Sequence, residues 1–205
     1  ARDQRHERAL IAVGVGEDFG GRCVDRQNQP VAGATVYVGS AGVRVGTSPF
    51  WRACYADCGK RDTTDADGRY TIDALDPTLV FKLLVVAGGY RPAVIAKVDP
   101  QERPTLETTL EARPIPDDPT RVVRGQVIDP YGRPAAGALV EPHGCENATR
   151  RWWGRMPGVD SLAVTDQQGR FAIVCNEPVL GLDLKVEARG AVRKARAHLA
   201  AHPVL

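Results

Sequence analysis

A chain of 205 residues with 27 Lys and Arg against 25 Asp and Glu carries a formal net charge of +2, which gives no electrostatic reason to expect nucleic acid. At this length there is room for two domains of about 100 residues, each able to bury a core of its own. The longest apolar run near the start, Ala9 to Val15, falls well short of the roughly 20 residues that cross a bilayer, so no membrane insertion is expected within this segment.

Residues 1–9 mix Arg, Asp, Glu and His without periodicity and read as a mobile lead. The chain starts at Ala1 instead of Met, which points to a processed or excised piece with any signal peptide or anchor outside it. From Gly21 onward one pattern occurs twice. Its first copy is Gly21, Asp25, Pro30, Gly33, Ala34, then Thr64, Asp65, Gly68, Arg69, Tyr70. Its second is Gly125, Asp129, Pro134, Gly137, Ala138, then Thr165, Asp166, Gly169, Arg170, Phe171.

Between these landmarks, Gly21–Asp25 and Gly125–Asp129 read as strands, and Ala34–Val38 and Ala138–Val140 as their returns. Residues 39–62 and 141–161 lack periodicity and are expected to be long surface loops. Tyr70–Ile72 and Phe171–Val174 resume strand pattern after the glycine-bearing turns Asp65–Gly68 and Asp166–Gly169. Leu83–Ala87 and Leu184–Ala188 are matched strands, and Lys97–Val98 and Leu106–Leu110 close the first copy. Residues 113–120, with three prolines, read as a stiff, helix-free linker. The second copy ends before any counterpart of Leu106–Leu110. Short strands with regularly spaced turns, and no convincing helical period, give an all-β fold of two tandem antiparallel sandwiches, over 1–112 and 121–205.

The chain has five cysteines. Cys54 and Cys58 lie close together in the first insertion, and Cys145 and Cys175 flank the second, which suggests one disulfide per copy; reduced thiols are the alternative. Cys23 replaces Val127 of the other copy at a core strand position and is expected to be a free buried thiol. No histidine stands at ligand spacing from these cysteines, so no metal site is expected.

The spacing Gly-x-x-x-Asp, Pro-x-x-Gly-Ala, Thr-Asp-x-x-Gly-Arg-Tyr/Phe resembles the carboxypeptidase regulatory-like family. That resemblance implies transthyretin-like Greek-key sandwiches that accompany catalytic domains or build exported proteins, and it implies no activity of their own. A zinc carboxypeptidase needs a His-x-x-Glu pair with a distant His, which His6, His143, His198 and His202 do not provide. Arg91-Pro92-Ala93-Val94-Ile95-Ala96 looks like the iron-binding stretch of intradiol dioxygenases, but Val94 and Ala96 stand where that family has its histidine ligands. Isopeptide-bonded surface domains, which share the fold type, need a first-strand lysine; Arg22 and Gln126 lie on that strand here.

The strongest candidate contact surface is Arg150, Arg151, Trp152, Trp153 and Arg155, with Trp51 and Tyr55 in the matching insertion. Indoles can stack on sugar rings and guanidinium groups can bridge hydroxyls or carboxylates. The same residues can equally form a satellite core beneath a long loop. Asp62, Asp65 and Asp67 hint at a calcium loop without its bidentate glutamate. Asn147-Ala148-Thr149 fits a glycosylation acceptor, and no Gly-x-Ser-x-Gly elbow occurs.

The sequence thus points to a non-catalytic accessory, interaction or spacer module of an exported protein, extracellular, periplasmic or at the cell surface. No cofactor is expected. Its partners would be other domains of a longer parent, or a surface glycan or protein. The alternatives are a carbohydrate-binding module, and a metallocarboxypeptidase-associated fragment or a dioxygenase relative without iron ligands.

Overall fold

The computed structural model describes residues 16–44, 60–154, 156–188 and, by backbone course alone, 191–198. Trp51, Cys54, Tyr55, Cys58, Arg155 and the lead at 1–9 lie outside the described residues, as does the side chain of His198.

Fourteen strands are described, and no α-helix. The first seven are β1 (Glu17–Asp25), β2 (Thr35–Val43), β3 (Arg61–Thr63), β4 (Arg69–Leu75), β5 (Leu79–Val86), β6 (Ala93–Val98) and β7 (Thr105–Leu110). They form two sheets, ordered β4-β1-β7 and β3-β2-β5-β6. The other seven are β8 (Val122–Gln126), β9 (Leu139–Glu146), β10 (Arg151–Trp153), β11 (Ala163–Val164), β12 (Arg170–Val174), β13 (Gly181–Ala188) and β14 (Ala191–His198). They form the pair β12-β8 and the sheet β10-β9-β13-β14, with β11 on a further stretch of β9. Among the described residues no sheet mixes strands from the two halves.

In the N-terminal half the sheets face one another across a core. Phe19, Cys23, Tyr70, Ile72, Leu75 and Leu110 come from one sheet, and Val36, Val38, Phe81, Leu83, Val85 and Val98 from the other. In the C-terminal half Val123 and Ile173 face Val140, Cys145, Leu182 and Leu184. Burial of alternate residues along β4 (Tyr70, Ile72) is the two-residue period of a strand laid on a core, whereas Leu83, Leu84 and Val85 of β5 are all buried.

The repeated motif is a turn frame, and its hydrogen bonds recur residue for residue. Asp25 Oδ1 accepts from the amides of Gln27 and Gln29, as Asp129 Oδ1 does from Tyr131 and Arg133. Asp65 Oδ1 accepts from Asp67 and Arg69, as Asp166 Oδ1 does from Gln168 and Arg170. The Thr64 hydroxyl accepts from the Ala34 amide at 2.8 Å and donates to the Val31 carbonyl at 2.7 Å. Thr165 does the same with Ala138 and Ala135, at 2.8 and 2.6 Å. Gly68 and Gly169 sit at φ 74° and 71°, and a Cβ on either would strike the carbonyl of Cys23 or Val127. Only glycine closes this turn against the first strand.

Three expectations need correction. β7 runs parallel to β1, in register from Gly20 opposite Thr105 to Asp25 opposite Leu110. It arrives from β6 in the other sheet, so no hairpin fixes its direction. The insertions are partly strand: β2 continues to Val43 and β9 to Glu146, and Arg151–Trp153 pairs with β9 as an edge strand. The linker is not free of helix, because Asp118 caps a single 3-10 turn at Pro119–Arg121 by accepting from the Thr120 amide. Cys23, Cys145 and Cys175 are buried and are described in the free-thiol form.

Candidate functional site: an aromatic ledge and the seam between modules

The ledge is built by the pairing of β10 with β9. Trp152 stands opposite Cys145, and Trp153 opposite Gly144. Directly opposed residues in an antiparallel pair share a face, so Trp152 leans with Cys145 onto the C-terminal core while Arg151 and Trp153 take the outer face. There Arg151 pairs with Asp183 at 2.9 Å. Gly144 leaves the space that the Trp153 indole and the Asp183 carboxylate fill, because a Cβ there would meet both. Each indole carries a guanidinium 4.7 Å from its ring centroid, Arg150 on Trp152 and Arg151 on Trp153. Trp153 keeps 59% of its surface in solvent, but one ring face is already engaged. The ledge is a set of internally paired residues, its indoles on the edge strand β10 and Arg150 in the turn before it.

Two of the three aspartates that hinted at calcium, Asp62 and Asp65, are spent on the fold. Asp65 closes its turn, and Asp62 accepts from the amides of Thr63 and Thr71. Among the described residues no group of three His, Cys, Asp or Glu side chains converges to hold a metal ion. Asn147 is likewise spent on a turn, accepting from Thr149 and the Arg150 amide.

The structure also brings together residues that the sequence reading missed. Both faces of the β2–β5 pair are apolar. Val36, Val38, Leu83 and Val85 face their own core, whereas Tyr37, Leu84 and the partly buried Val86 point the other way and meet Leu139, Leu162 and Val164 of the C-terminal half. Beside this patch the linker residue Arg113 enters the C-terminal body. Its amide donates to the Gly89 carbonyl at 2.6 Å, while its side chain donates to Val174 O at 2.6 Å and Asn176 Oδ1 at 3.0 Å. Arg113 Nε lies 2.6 Å from Asp160 Oδ1, with both side chains buried. The other Asp160 oxygen accepts from the Val174 amide at 2.9 Å.

Burial is the leading influence on both partners, pushing the Asp160 carboxyl up and the Arg113 guanidinium down. Desolvation therefore outweighs what each charge returns to the other, the usual balance for a buried ion pair. Removing one partner would strand the other in the interior. A signal for the apolar half of this seam was present in the sequence: Leu83-Leu84-Val85-Val86 is an unbroken apolar run, longer than one buried face requires. Arg113 and Asp160 carried no such signal.

Residues 19–111 match the model of the carboxypeptidase regulatory-like domain. That stretch, somewhat under half of the chain, is similar to a carboxypeptidase regulatory-like domain. It runs from the start of the first core through β7, and its landmarks are the turn frame described above. The match does not extend into residues 112–205, where the turn frame recurs. No curated protein matches the chain. Among solved structures, a Streptococcal ancillary pilin aligns at 14% identity and a TM-score of 0.30, over 98% of this chain and 65% of that one. The full-length major pilin SpaD from Corynebacterium diphtheriae aligns at 9% and 0.30, over 93% and 67%. A 9R-lipoxygenase from Cyanothece PCC8801 aligns at 10% and 0.32, over 98% and 45%. This chain thus spans less than two thirds of the length of the ancillary pilin and of the lipoxygenase, and likenesses so distant say nothing of function.

Proposed function

We propose that the chain is a non-catalytic spacer or interaction unit of an exported multi-domain protein, with two modules of one kind at 1–112 and 121–205 joined through 113–120. The observation that carries this reading is the seam. An apolar patch and a buried, multiply bonded arginine hold one module against the other, and a fixed relation between modules is what a spacer or a presenting scaffold needs. The match of residues 19–111 to a regulatory-like domain family supports the same reading. So does the turn frame, whose Asp and Thr side chains are engaged in holding backbone. Among the described residues no helix is long and apolar enough to cross a membrane. An exported location rests on the family resemblance. Partners would be neighbouring domains of the parent, or a protein or glycan at the cell surface.

The glycan alternative rests on Trp153 and its exposure. Titration with a panel of neutral and acidic polysaccharides, followed by tryptophan fluorescence, separates the two readings. The spacer reading expects no saturable change. Saturable quenching abolished by Trp153→Ala would make the ledge a carbohydrate site and overturn it. Metal analysis of protein purified without chelator tests the enzyme alternatives, and stoichiometric iron or zinc would contradict the non-catalytic assignment.

A further inference from the structure

Cys145 and Cys175 reach the same place from opposite sheets. Cys145 lies on β9, between Leu182 of β13 and Trp152 of β10. Cys175 follows β12, the strand that pairs with β8 in the facing sheet, and is bridged to Val159. Both belong to one core cluster and each is 1% exposed. Both also line a hollow of about 340 Å³ with Trp152, Asn176 and Glu177. A charge on Cys145 is felt at Cys175, as expected of neighbours in a poorly solvated interior.

The duplication supplies an independent comparison. In strand register Cys145, opposite Leu182, matches Ala41, opposite Phe81, and the spacing from the shared Thr-Asp landmark places Ala74 where the other module has Cys175. The two cysteines thus occur as a pair in one module, where the other has two alanines. The module that has them is also the one in which no described strand takes the place of β7.

We infer that Cys145 and Cys175 form an inter-sheet disulfide when the protein meets a disulfide oxidant. In the balanced step the two thiols give up two protons and two electrons, one S–S bond forms between β9 and the end of β12, and the oxidant's disulfide is reduced to two thiols. Burial raises both thiols, Cys175 to about 12, so little thiolate exists in the closed core. The bridge therefore forms while the chain is still closing, and once formed it is shielded from exchange.

The test is to refold the full chain in a mixture of oxidised and reduced glutathione, block remaining thiols, and digest with trypsin without reductant. The expected product is peptide 125–150 joined to peptide 171–185, lost on treatment with dithiothreitol together with the appearance of two titratable thiols. Recovery of both peptides unlinked and alkylated, or linked to other cysteines, overturns the inference. A second variant carries the N-terminal module's residues, Cys145→Ala with Cys175→Ala. The difference in Tm between oxidised and reduced protein should shrink in that variant; an unchanged difference also overturns it. Neither readout depends on what the two modules bind.

Discussion

The two modules share a frame and differ in how they close it. Val24 and Ile128 occupy the same position, one residue before the turn aspartate. Val24 is 2% exposed in a strand flanked by β7, whereas Ile128 is 58% exposed where no described strand lies alongside. Tyr70 and Phe171 face the same glycine of the first strand, Gly21 or Gly125, yet Tyr70 is buried and Phe171 only half so. The lesson is that the repeated motif specifies turns and strand pairing, not the depth of burial. Burial depends on which further strands each module gathers.

The comparison breaks most severely at the seam. Arg113→Met leaves Asp160 buried without its counter-charge, and about 3–5 kcal/mol of stability should be lost, read from urea unfolding of the whole chain. A loss within about 0.5 kcal/mol, the scale of an ordinary surface change, would mean that Arg113 does not hold the modules together. Next come the framework threonines. Thr64→Val and Thr165→Val each strand a backbone amide and carbonyl, at a cost of about 1–3 kcal/mol. Equal costs sharpen the claim of one shared frame, and a one-sided cost breaks it. The strand-edge difference is smaller. Val24→Ala deletes two buried methyl groups and should cost about 2 kcal/mol, while Ile128→Ala should stay within about 0.5 kcal/mol.

The smallest effect is in pH. The Arg44 guanidinium beside Asp99, 2.5 Å away, holds that carboxyl down at about 2. A depressed folded value means that the contribution is present above the unfolded value near 3.8 and is lost as pH falls through about 2. Acid titration of stability should therefore show a loss in that window which Asp99→Asn diminishes. At the matched positions the C-terminal half has Ala148 and Ala200, so this pair has no counterpart there.

Much of the fold was legible because turn chemistry is local. Asp25, Gly68, Thr64 and their partners in the second copy each act on backbone within a few residues or one strand away, and their spacing survives duplication. The edge strand at Arg151–Trp153 was hidden because three residues carry no periodicity, and its pairing comes from β9. The seam was half legible. Leu83–Val86 announced a second apolar face, but nothing local marks Arg113 in a proline-rich linker as buried, since its partners lie 45 to 63 residues away. The aromatic cluster was found as a set of residues, but sequence could not tell that its guanidinium groups lie on the indoles.

The central claim is that the two modules are held in one fixed relation by the apolar patch and Arg113. Residual dipolar couplings, measured for the backbone amides of residues 17–110 and 122–188 in one weakly aligned sample, test it most directly. The account predicts that both sets fit a single alignment tensor, with Arg113→Met splitting it into two. Two unrelated tensors in the unaltered protein would contradict it.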